Sequence, residues 1–223
     1  MNNIKVETHC HTNYSNDCLM DPKRLVDEAC KKGIDRLCVT DHNEVRGALD
    51  MAMNLPELII PGVEVMTTKG ELLVLFIQSE IPSDLHPIDT IELCRKQGSV
   101  VIVPHPFDYH RRGFWADHDL ELVAPYVDGI EVFNSRTLSS SMNRKAHMFA
   151  KSHDLLSTVG SDAHTYYEVG RSTMLMESFK SSDQFIDKLE HARYDIKRST
   201  PLVRLASRWA VLVNFMSKLQ INL

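Results

Sequence analysis

The chain has 223 residues, of which 43% are hydrophobic and 25% are charged, and its formal net charge is −5. This is the composition of an ordinary globular protein, and the length suffices for one large core. The negative charge argues against a nucleic-acid partner, and no apolar run reaches the roughly 18 residues of a membrane span. We therefore expect one domain over residues 1–223, with neither a nucleic-acid nor a membrane partner.

Strand-like and helix-like segments alternate along the chain. Strands are predicted at 3–8, 36–40, 57–64, 72–77, 100–103, 127–133 and 155–160. Helices are predicted at 22–33, 44–53, 87–97, 139–153, 182–191 and 201–219, and residues 107–124 are expected to form a long loop over a cleft. Repeated strand-then-helix order is typical of a largely parallel sheet with helices outside, and about seven strands favour an α/β barrel.

The last predicted helix carries apolar residues at mixed steps of three and four, which is an amphipathic pattern. These residues are Leu202, Leu205, Trp209, Leu212, Val213 and Met216. The pattern predicts that residues 201–223 pack on the barrel or form a contact in a homodimer. A membrane-surface role is the alternative, and the scarcity of basic residues on the helix argues against it.

The cysteines bear on the cellular compartment. There are five, an odd number, and no two of them form a Cys-x-x-Cys pair. The chain begins Met-Asn-Asn and passes directly into an apolar run, without the regions of a secretory signal. Reduced thiols are typical of intracellular proteins, so the sequence predicts a cytoplasmic location.

A His-x-His pair ends the first predicted strand. Side chains alternate between the two faces of a strand, so His9 and His11 can face one metal ion while Cys10 points into the packing. The pair alone is weak evidence, because two histidines can fall at this spacing by chance. The interpretation depends on whether other strands also end in potential ligands.

Histidine or carboxylate side chains do follow several other predicted strands. In α/β barrels the chemistry lies at the C-terminal ends of the strands. The residues at these positions are Asp17, His42, Glu64, His105, Asp162 and His164. Each alone has a structural alternative, such as a helix cap for His42 or a turn for Asp162. Together they predict a metal cluster, and imidazole with carboxylate suits zinc, manganese or iron.

Five motifs in order resemble those of the PHP (polymerase and histidinol phosphatase) family over roughly residues 4–175. They are His-x-His, Thr-Asp-His, Gly-Val-Glu, Pro-His-Pro and Ser-Asp-Ala-His. The resemblance implies a distorted TIM-like (β/α)7 barrel with two or three divalent metal ions. By matching position, the implied ligands of the first ion are His9, His11, Glu64 and Asp162. Those of the second are Glu64 and His105, and those of the third are Asp17, His42 and His164.

Glu71 stands where this sequence departs from the family. A ninth ligand is commonly a histidine after a glycine in the strand that follows Gly-x-Glu, and here Glu71 follows Gly70. A carboxylate binds the same ions, and the strand register would direct Glu71 as it directs the histidine. We therefore expect Glu71 as a ligand. The alternative is a solvated residue at the strand edge, with the second ion weakly bound or absent.

The resemblance implies a metal-dependent phosphoesterase, and we expect it to act on a small phosphomonoester and to release inorganic phosphate. A bound Mn, Zn or Fe ion can lower the pKa of its water from 15.7 to roughly 7, which provides a metal-activated hydroxide. Two alternatives stay open, a nuclease that acts on DNA or RNA ends and a degenerate, non-catalytic metal-binding barrel. Amide hydrolysis is a further alternative, but no bridging lysine follows a predicted strand.

Cationic and amide side chains beyond the later strands are candidates for substrate binding. Asn134 and Arg136 follow the sixth predicted strand, and Arg171 follows the Ser-Asp-Ala-His motif. An ordinary surface position is the alternative for each arginine. Residues 110–112 (His-Arg-Arg) lie in the long loop and are expected to shape specificity, since loops usually carry it.

Overall fold

Seven strands form a nearly closed barrel in the computed structural model, which describes residues 3–221 and the side chains of residues 3–217. Two further strands extend the sheet past the first strand of the chain, at the edge of the barrel. The strands are β1 (Asn3–Glu7), β2 (Arg36–Val39), β3 (Ile59–Met66), β4 (Glu71–Leu75), β5 (Val100–Val103), β6 (Gly129–Asn134), β7 (Leu156–Gly160), β8 (Ser172–Glu177) and β9 (Arg193–Ile196). The order is β7-β6-β5-β4-β3-β2-β1-β8-β9, and a parallel bridge between Cys10 and Ala163 joins the segments that follow β1 and β7. The predicted α/β barrel is confirmed.

Within the barrel, strand β4 departs from the largely parallel order that we predicted, and outside it β8 and β9 also pair antiparallel, with β1 and β8 respectively. Strands β1–β3 pair in parallel, as do β5–β7, whereas β4 pairs antiparallel with both β3 and β5. The reason is the connection: only residues 67–70 join β3 to β4, and Thr67 N–H donates to the Gly70 carbonyl at 3.0 Å. A parallel crossover needs a dozen or more residues, so this short turn makes a hairpin.

Helices pack around the barrel, and the last of them lies at its C-terminal mouth. They are α1 (Pro22–Lys31), α2 (Arg46–Asn54), α3 (Pro87–Lys96), α4 (Asp117–Val123), α5 (Ser140–Ser152), α6 (Ser182–Leu189) and α7 (Val203–Ile221). Local sequence explains the predicted start of α1, because the Asp21 side chain accepts a hydrogen bond from Arg24 N–H at 3.0 Å and Pro22 follows it. Helix α4 lies within the segment predicted as a loop, and β8 and β9 were not predicted.

The core lies between the barrel strands and these helices. All residues of β4 and β5 are buried, and the run Val-Val-Ile-Val of β5 is the continuous apolar pattern of a strand covered on both faces. Full burial of one such side chain stabilises the fold by about 1.5–3 kcal/mol. This packing positions the strand ends and the residues that follow them.

Helix α7 crosses the C-terminal mouth of the barrel and packs with small and polar residues. Ala210 is buried, whereas Leu205 and Trp209 are 58% and 61% exposed. The predicted packing on the barrel is thus made by the polar side of the helix, and its apolar side faces outward. Residues 222 and 223 of the predicted segment lie outside the described residues. Within residues 3–221, no helix combines the length and apolarity that a bilayer crossing requires.

Candidate metal centre

His9 and His11 lie on the extended segment after β1, and their imidazoles face the same two carboxylates. Their Nε2 atoms are 3.2 and 3.4 Å from Oε2 of Glu64. They are 3.7 and 3.3 Å from Oδ1 of Asp162, which follows β7. Cys10 between them is buried in the core. The alternation that we predicted from the sequence thus directs both histidines to one point.

Glu64 occupies the centre of the cluster, between histidines from different strand ends. Its Oε1 lies 2.8 Å from Nε2 of His105, and its Oε2 lies 3.2 Å from Nδ1 of His42. Strand β3 carries Glu64 between β2 and β4, which keeps the carboxylate fully buried. The two oxygens of this carboxylate thus face different histidines, which places Glu64 among several potential metal ligands.

Asp17, His42 and His164 form the more exposed side of the cluster. Oδ2 of Asp17 lies 3.0 Å from Nε2 of His164 and 3.7 Å from Nε2 of His42. The ring centroids of His42 and His164 are 4.5 and 4.2 Å from that of His11. The side chains of Asp17 and His42 are 28% and 26% exposed, whereas His164 is buried. Solvent therefore reaches the cluster from the side of Asp17 and His42.

Glu71 also points into the cluster. Its Oε1 is 3.8 Å from Nδ1 of His42, and its Oε2 is 3.8 Å from Nε2 of His105. The register explains this direction, because Leu73 lies opposite Glu64 and Glu71 is two residues away on the same face. Gly113 packs so closely on Glu71 that an added Cβ would lie 1.9 Å from Oε2. Glu71 is thus a buried side chain among the predicted ligands, and not a solvated strand-edge residue.

Four buried atoms of the predicted ligands indicate what the cluster is built to hold. Within residues 3–221, the atoms without a hydrogen bond of acceptable geometry include Nε2 of His11, Oδ1 of Asp17, Nδ1 of His105 and Oδ1 of Asp162. Such atoms are costly in a protein interior unless another partner satisfies them. Four overlapping groups have ligand atoms within 4.8 Å of one another: His11, His42 and His164; His9, His11 and Glu64; His9, His105 and Glu131; and His42, Glu64 and Glu71. Imidazoles and carboxylates in this arrangement fit zinc, manganese or iron.

The charges of the cluster influence each other strongly. Burial disfavours ionised Glu64, but His9 and His42 hold its pKa well below the ordinary value. Burial also disfavours protonated His42, but Glu64 and Asp17 outweigh it and raise the pKa of His42 to about 10. Burial, His164 and His42 lower the pKa of His11 well below its ordinary value. Protons and divalent cations therefore compete for the same imidazole nitrogens.

Glu131 is a buried residue of the cluster that we did not predict. Its Oε1 lies 2.9 Å from Nδ1 of His9, and its Oε2 accepts hydrogen bonds from His105 N–H at 3.0 Å and from Asn134 Nδ2 at 2.9 Å. Such a carboxylate fixes the orientation of a histidine ligand. The sequence held one signal that could have identified Glu131: it is a charged residue in the otherwise uncharged strand Gly129–Asn134.

Asp41 performs a similar role on the opposite side of the cluster. It accepts hydrogen bonds from Thr12 N–H and from the hydroxyl groups of Thr12 and Ser15, each at 2.6 Å. The Ser15 hydroxyl lies 3.2 Å from Nδ1 of His11 and accepts a bond from His42 N–H at 3.0 Å. Asp41 therefore holds the loop that orients His11.

Arg111 is the cation that lies nearest to the predicted ligands. Its Nη2 is 2.5 Å from Oδ2 of Asp162 and 3.4 Å from Oδ1 of Asn134. Burial opposes its charge, but Asp162 and Asp108 raise the pKa of Arg111 above the ordinary value. Asn134 also donates to Oδ2 of Asp162 at 3.2 Å. The long loop after β5 thus places one of its two adjacent arginines inside the site.

The two arginines predicted to bind substrate lie in different places. Arg136 is buried beside the cluster, with Nη1 at 2.7 Å from Nδ1 of His164 and Nε at 3.1 Å from Glu168. Arg171 instead donates to the carbonyl oxygen of Arg198 and packs on the ring of Tyr167. Among the described contacts of Arg171, none reaches a predicted ligand. Its position therefore does not support substrate binding.

An α/β barrel whose strand ends meet in a buried cluster of histidines and carboxylates defines a class of metal-binding proteins. Residues 7–147 match the sequence profile of the PHP domain, and residues 141–194 match that of a PHP-associated region. The chain therefore belongs to the PHP domain family, which confirms the resemblance found in the motifs.

Two relatives come from Methanocaldococcus jannaschii. The uncharacterized protein MJ0417 is 36% identical over 172 residues, which is 76% of this chain and 69% of that protein. The uncharacterized protein MJ1587 is 35% identical over 145 residues, which is 59% of this chain and 82% of that protein. Neither name states an activity, so these relatives support the family alone.

Solved structures support the fold. PsfC from Pseudomonas syringae has a TM-score of 0.71 at 24% identity, over 96% of this chain and 100% of that chain. A two-domain protein from Bacteroides vulgatus, described as containing a predicted PHP-like metal-dependent phosphoesterase, has a TM-score of 0.69 at 19% identity. That match spans 88% of this chain and 65% of the other. At these identities the likeness shows the barrel and no more.

Proposed function

We propose that this protein is a metal-dependent phosphoesterase that hydrolyses a small phosphomonoester and releases inorganic phosphate. The observation that carries the proposal is the position of Glu64, whose two oxygens face separate histidines, with the Arg111 guanidinium beside Asp162. The site therefore combines metal ligands with a cation for a phosphoryl group. The description of the Bacteroides vulgatus neighbour supports this activity.

The proposed cofactors are two or three divalent ions of manganese, zinc or iron. When bound, such ions lower the pKa of water from 15.7 to about 7 and polarise phosphoryl oxygens. The ligand sets that we propose are His9, His11, Glu64 and Asp162 for the first ion, Glu64, Glu71 and His105 for the second, and Asp17, His42 and His164 for the third. We include Glu71 because it is buried and because its carboxylate oxygens lie 3.8 Å from Nδ1 of His42 and 3.8 Å from Nε2 of His105.

Arg111 is the side chain that we propose to bind the phosphoryl group. A guanidinium has five N–H donors. In Arg111 the Nε–H is directed at Asp108 and one Nη2–H at Asp162, which leaves further donors for phosphoryl oxygens. Asn134 holds the same oxygen of Asp162 from the other side. Arg136 orients His164, and its buried ion pair with Glu168 makes it a positioning residue.

The shape of the site favours a terminal phosphate. The side chains of His9, Glu64, His105 and Asp162 have no exposed surface, and only Asp17 and His42 are exposed by about a quarter, at 28% and 26%. Access through these two partly exposed residues suits the end of a small molecule better than the middle of a polymer. This is the reason to favour a phosphomonoester over an internal phosphodiester.

A screen for phosphate release tests the activity. Purified protein loaded separately with manganese, zinc or iron is incubated with nucleotides, sugar phosphates and short oligonucleotides. We expect release from one or more monoesters and none from internal diester bonds. Absence of release from every ester with every metal would contradict the proposed function. Cleavage of oligonucleotides alone would replace it with a nuclease.

Two site variants and one control assign the activity to this cluster. Asp162→Asn removes a charge that faces two histidines, and His42→Ala removes an imidazole that faces Glu64 and Asp17. Each should lower kcat/KM by at least about 100-fold. His118→Ala is the control, because that histidine is 76% exposed and pairs only with Asp119 among the described ion pairs. Full activity in a site variant would remove that residue from the mechanism.

We also propose that the protein is cytoplasmic. All five cysteines are free thiols, and four of them are buried. Reduced thiols are typical of that compartment, and this supports the proposal.

A further inference from the structure

Helix α7 approaches the candidate metal centre with its polar side. Near its first turn, Nη2 of Arg204 lies 2.9 Å from Oδ2 of Asp108. One turn later, the Ser207 hydroxyl accepts a hydrogen bond of 2.8 Å from Nη2 of Arg136, which in turn contacts His164. The helix therefore contacts residues that themselves touch predicted ligands, although it follows the barrel in the sequence.

Asp108 connects Arg204 of α7 to Arg111. Its carboxylate is buried, and Oδ2 lies 2.9 Å from Nη2 of Arg204 and 3.1 Å from Nε of Arg111. The other end of the Arg111 guanidinium, Nη2, lies 2.5 Å from Oδ2 of Asp162. A continuous chain of ion pairs thus runs from the C-terminal helix to a proposed metal ligand.

The carboxylate of Asp108 is shared by two guanidinium groups. Arg204, Asp108 and Arg111 together carry one net positive charge, and the carboxylate that faces this charge is Asp162, a proposed metal ligand. Burial and the nearby Arg111 lower the pKa of Arg204 below its ordinary value, although Asp108 opposes this effect. The guanidinium groups of Arg204 and Arg111 therefore repel each other across Asp108. A doubly charged phosphoryl group beside Arg111 would be attracted by the guanidinium, which keeps N–H donors that neither Asp108 nor Asp162 occupies.

We propose that Arg204 is a positioning residue for a phosphoryl-binding subsite at Arg111. Arg204 neutralises Asp108, so that the charge and the free N–H donors of Arg111 remain directed at the phosphoryl group. The ligand is the phosphoryl group of a monoester or inorganic phosphate itself. The inference rests on the proposed function and makes helix α7 a part of the substrate-binding structure.

The first test compares Arg204→Ala with Arg208→Ala. Arg208 is a matched control because it lies one turn further along the same helix and is exposed. In metal-loaded protein, Arg204→Ala should raise KM and the inhibition constant of inorganic phosphate by about 10-fold each, with kcat changed by less than about 3-fold. Arg204→Lys keeps the charge and should restore most of the loss. Arg208→Ala should match the wild-type protein.

A second test separates charge from general damage to the fold. If Arg204 acts by neutralising Asp108, it becomes dispensable once Asp108 has no charge. The double variant Asp108→Asn/Arg204→Ala should therefore bind inorganic phosphate more tightly than Arg204→Ala alone. Absence of this recovery, or equal effects of Arg204→Ala and Arg208→Ala, would overturn the proposal.

Direct binding keeps this inference distinct from the proposed activity. Inorganic phosphate is titrated calorimetrically into the metal-loaded wild-type protein and the same variants. If no ester is hydrolysed, the proposed function fails, but the titration still tests whether Arg204 supports phosphate binding at Arg111. Weaker phosphate binding in Arg204→Ala than in Arg208→Ala supports the subsite, and equal affinity contradicts it.

Discussion

Oε1 of Glu131 lies 2.9 Å from Nδ1 of His9, and both side chains are fully buried. A carboxylate on one imidazole nitrogen fixes the tautomer and directs the other nitrogen toward a metal. Nε2 of His9 accordingly faces Glu64 at 3.2 Å. Because the second oxygen of Glu131 accepts a hydrogen bond from His105 N–H, one carboxylate orients two of the proposed ligands.

Glu131→Gln should lower metal affinity by about 10- to 100-fold without unfolding the barrel. The amide keeps the shape of the side chain but removes the charge that holds His9. Competition with a chelator, followed by elemental analysis, measures the change. Glu121→Gln is the control, since Glu121 is 58% exposed and pairs with His153 at the surface. Equal metal retention in the two variants would contradict the role of Glu131.

Glu71→Gln should reduce the bound metal by about one ion per chain, whereas Glu71→His should retain it. The carboxylate lies 3.8 Å from both His42 and His105, so a charged or imidazole ligand at this position can complete the second site. Elemental analysis after gel filtration measures the stoichiometry. A glutamine variant with wild-type metal content would show that Glu71 is not a ligand.

Gly113→Ala should have the same effect as the loss of the Glu71 carboxylate. An added Cβ would lie 1.9 Å from Oε2 and 2.1 Å from Cδ of Glu71. The carboxylate is the flexible end of its side chain, so it should move while the backbone stays folded. We expect a loss of metal with little change in melting temperature. In a Glu71→Gln background, Gly113→Ala should cause no further loss, and an additional loss would point to damage elsewhere in the loop.

Arg111→Ala should weaken phosphate binding by at least about 10-fold, because its guanidinium carries free donors beside Asp162. Arg112→Ala tests the exposed neighbour in the same loop, and Arg171→Ala tests the arginine that lies against Arg198 and Tyr167. Both should leave the inhibition constant of inorganic phosphate within about 2-fold of the wild-type value. A strong effect of Arg171→Ala would restore the role predicted from the sequence.

A thiol reagent at pH 8 should label Cys30 rapidly and the other four cysteines slowly. Cys30 is exposed, whereas burial raises the pKa of Cys94 to about 12 and that of Cys38 further. The thiolate is the reactive form, so a raised pKa and burial both slow the reaction. Mass spectrometry should find one label in the native protein, five in guanidinium chloride and none in native Cys30→Ser. Rapid labelling of a buried cysteine would reveal local opening of the barrel.

The strand ends could be predicted because their signals are local. His9 and His11 are two residues apart on an extended segment, so the pleat alone determines that they face the same way. Barrel closure then explains why Glu64, His105 and Asp162 meet these histidines. The direction of β4 was harder to predict, because it depends on the length of the turn at residues 67–70. The strands β8 and β9 were missed.

Other parts of the site depend on contacts between distant segments. Arg171 follows the Ser-Asp-Ala-His motif but turns toward Arg198, whereas Arg111 lies in the long loop after β5 and reaches Asp162. Both residues are arginines near predicted strand ends, so the local sequence does not show which of them enters the site. Only the path of each loop decides which guanidinium enters the site.

The sequence by itself determined the family, the barrel and the residue types of the proposed ligand set, because motifs and strand periodicity depend only on residues that are neighbours in the chain. The tertiary structure decided which groups orient those ligands. Glu131 is 122 residues from His9 in the chain, and Arg204 is 96 residues from Asp108, yet both pairs are in contact. Such contacts form only when the sheet closes and α7 packs across its mouth, so no local pattern encodes them.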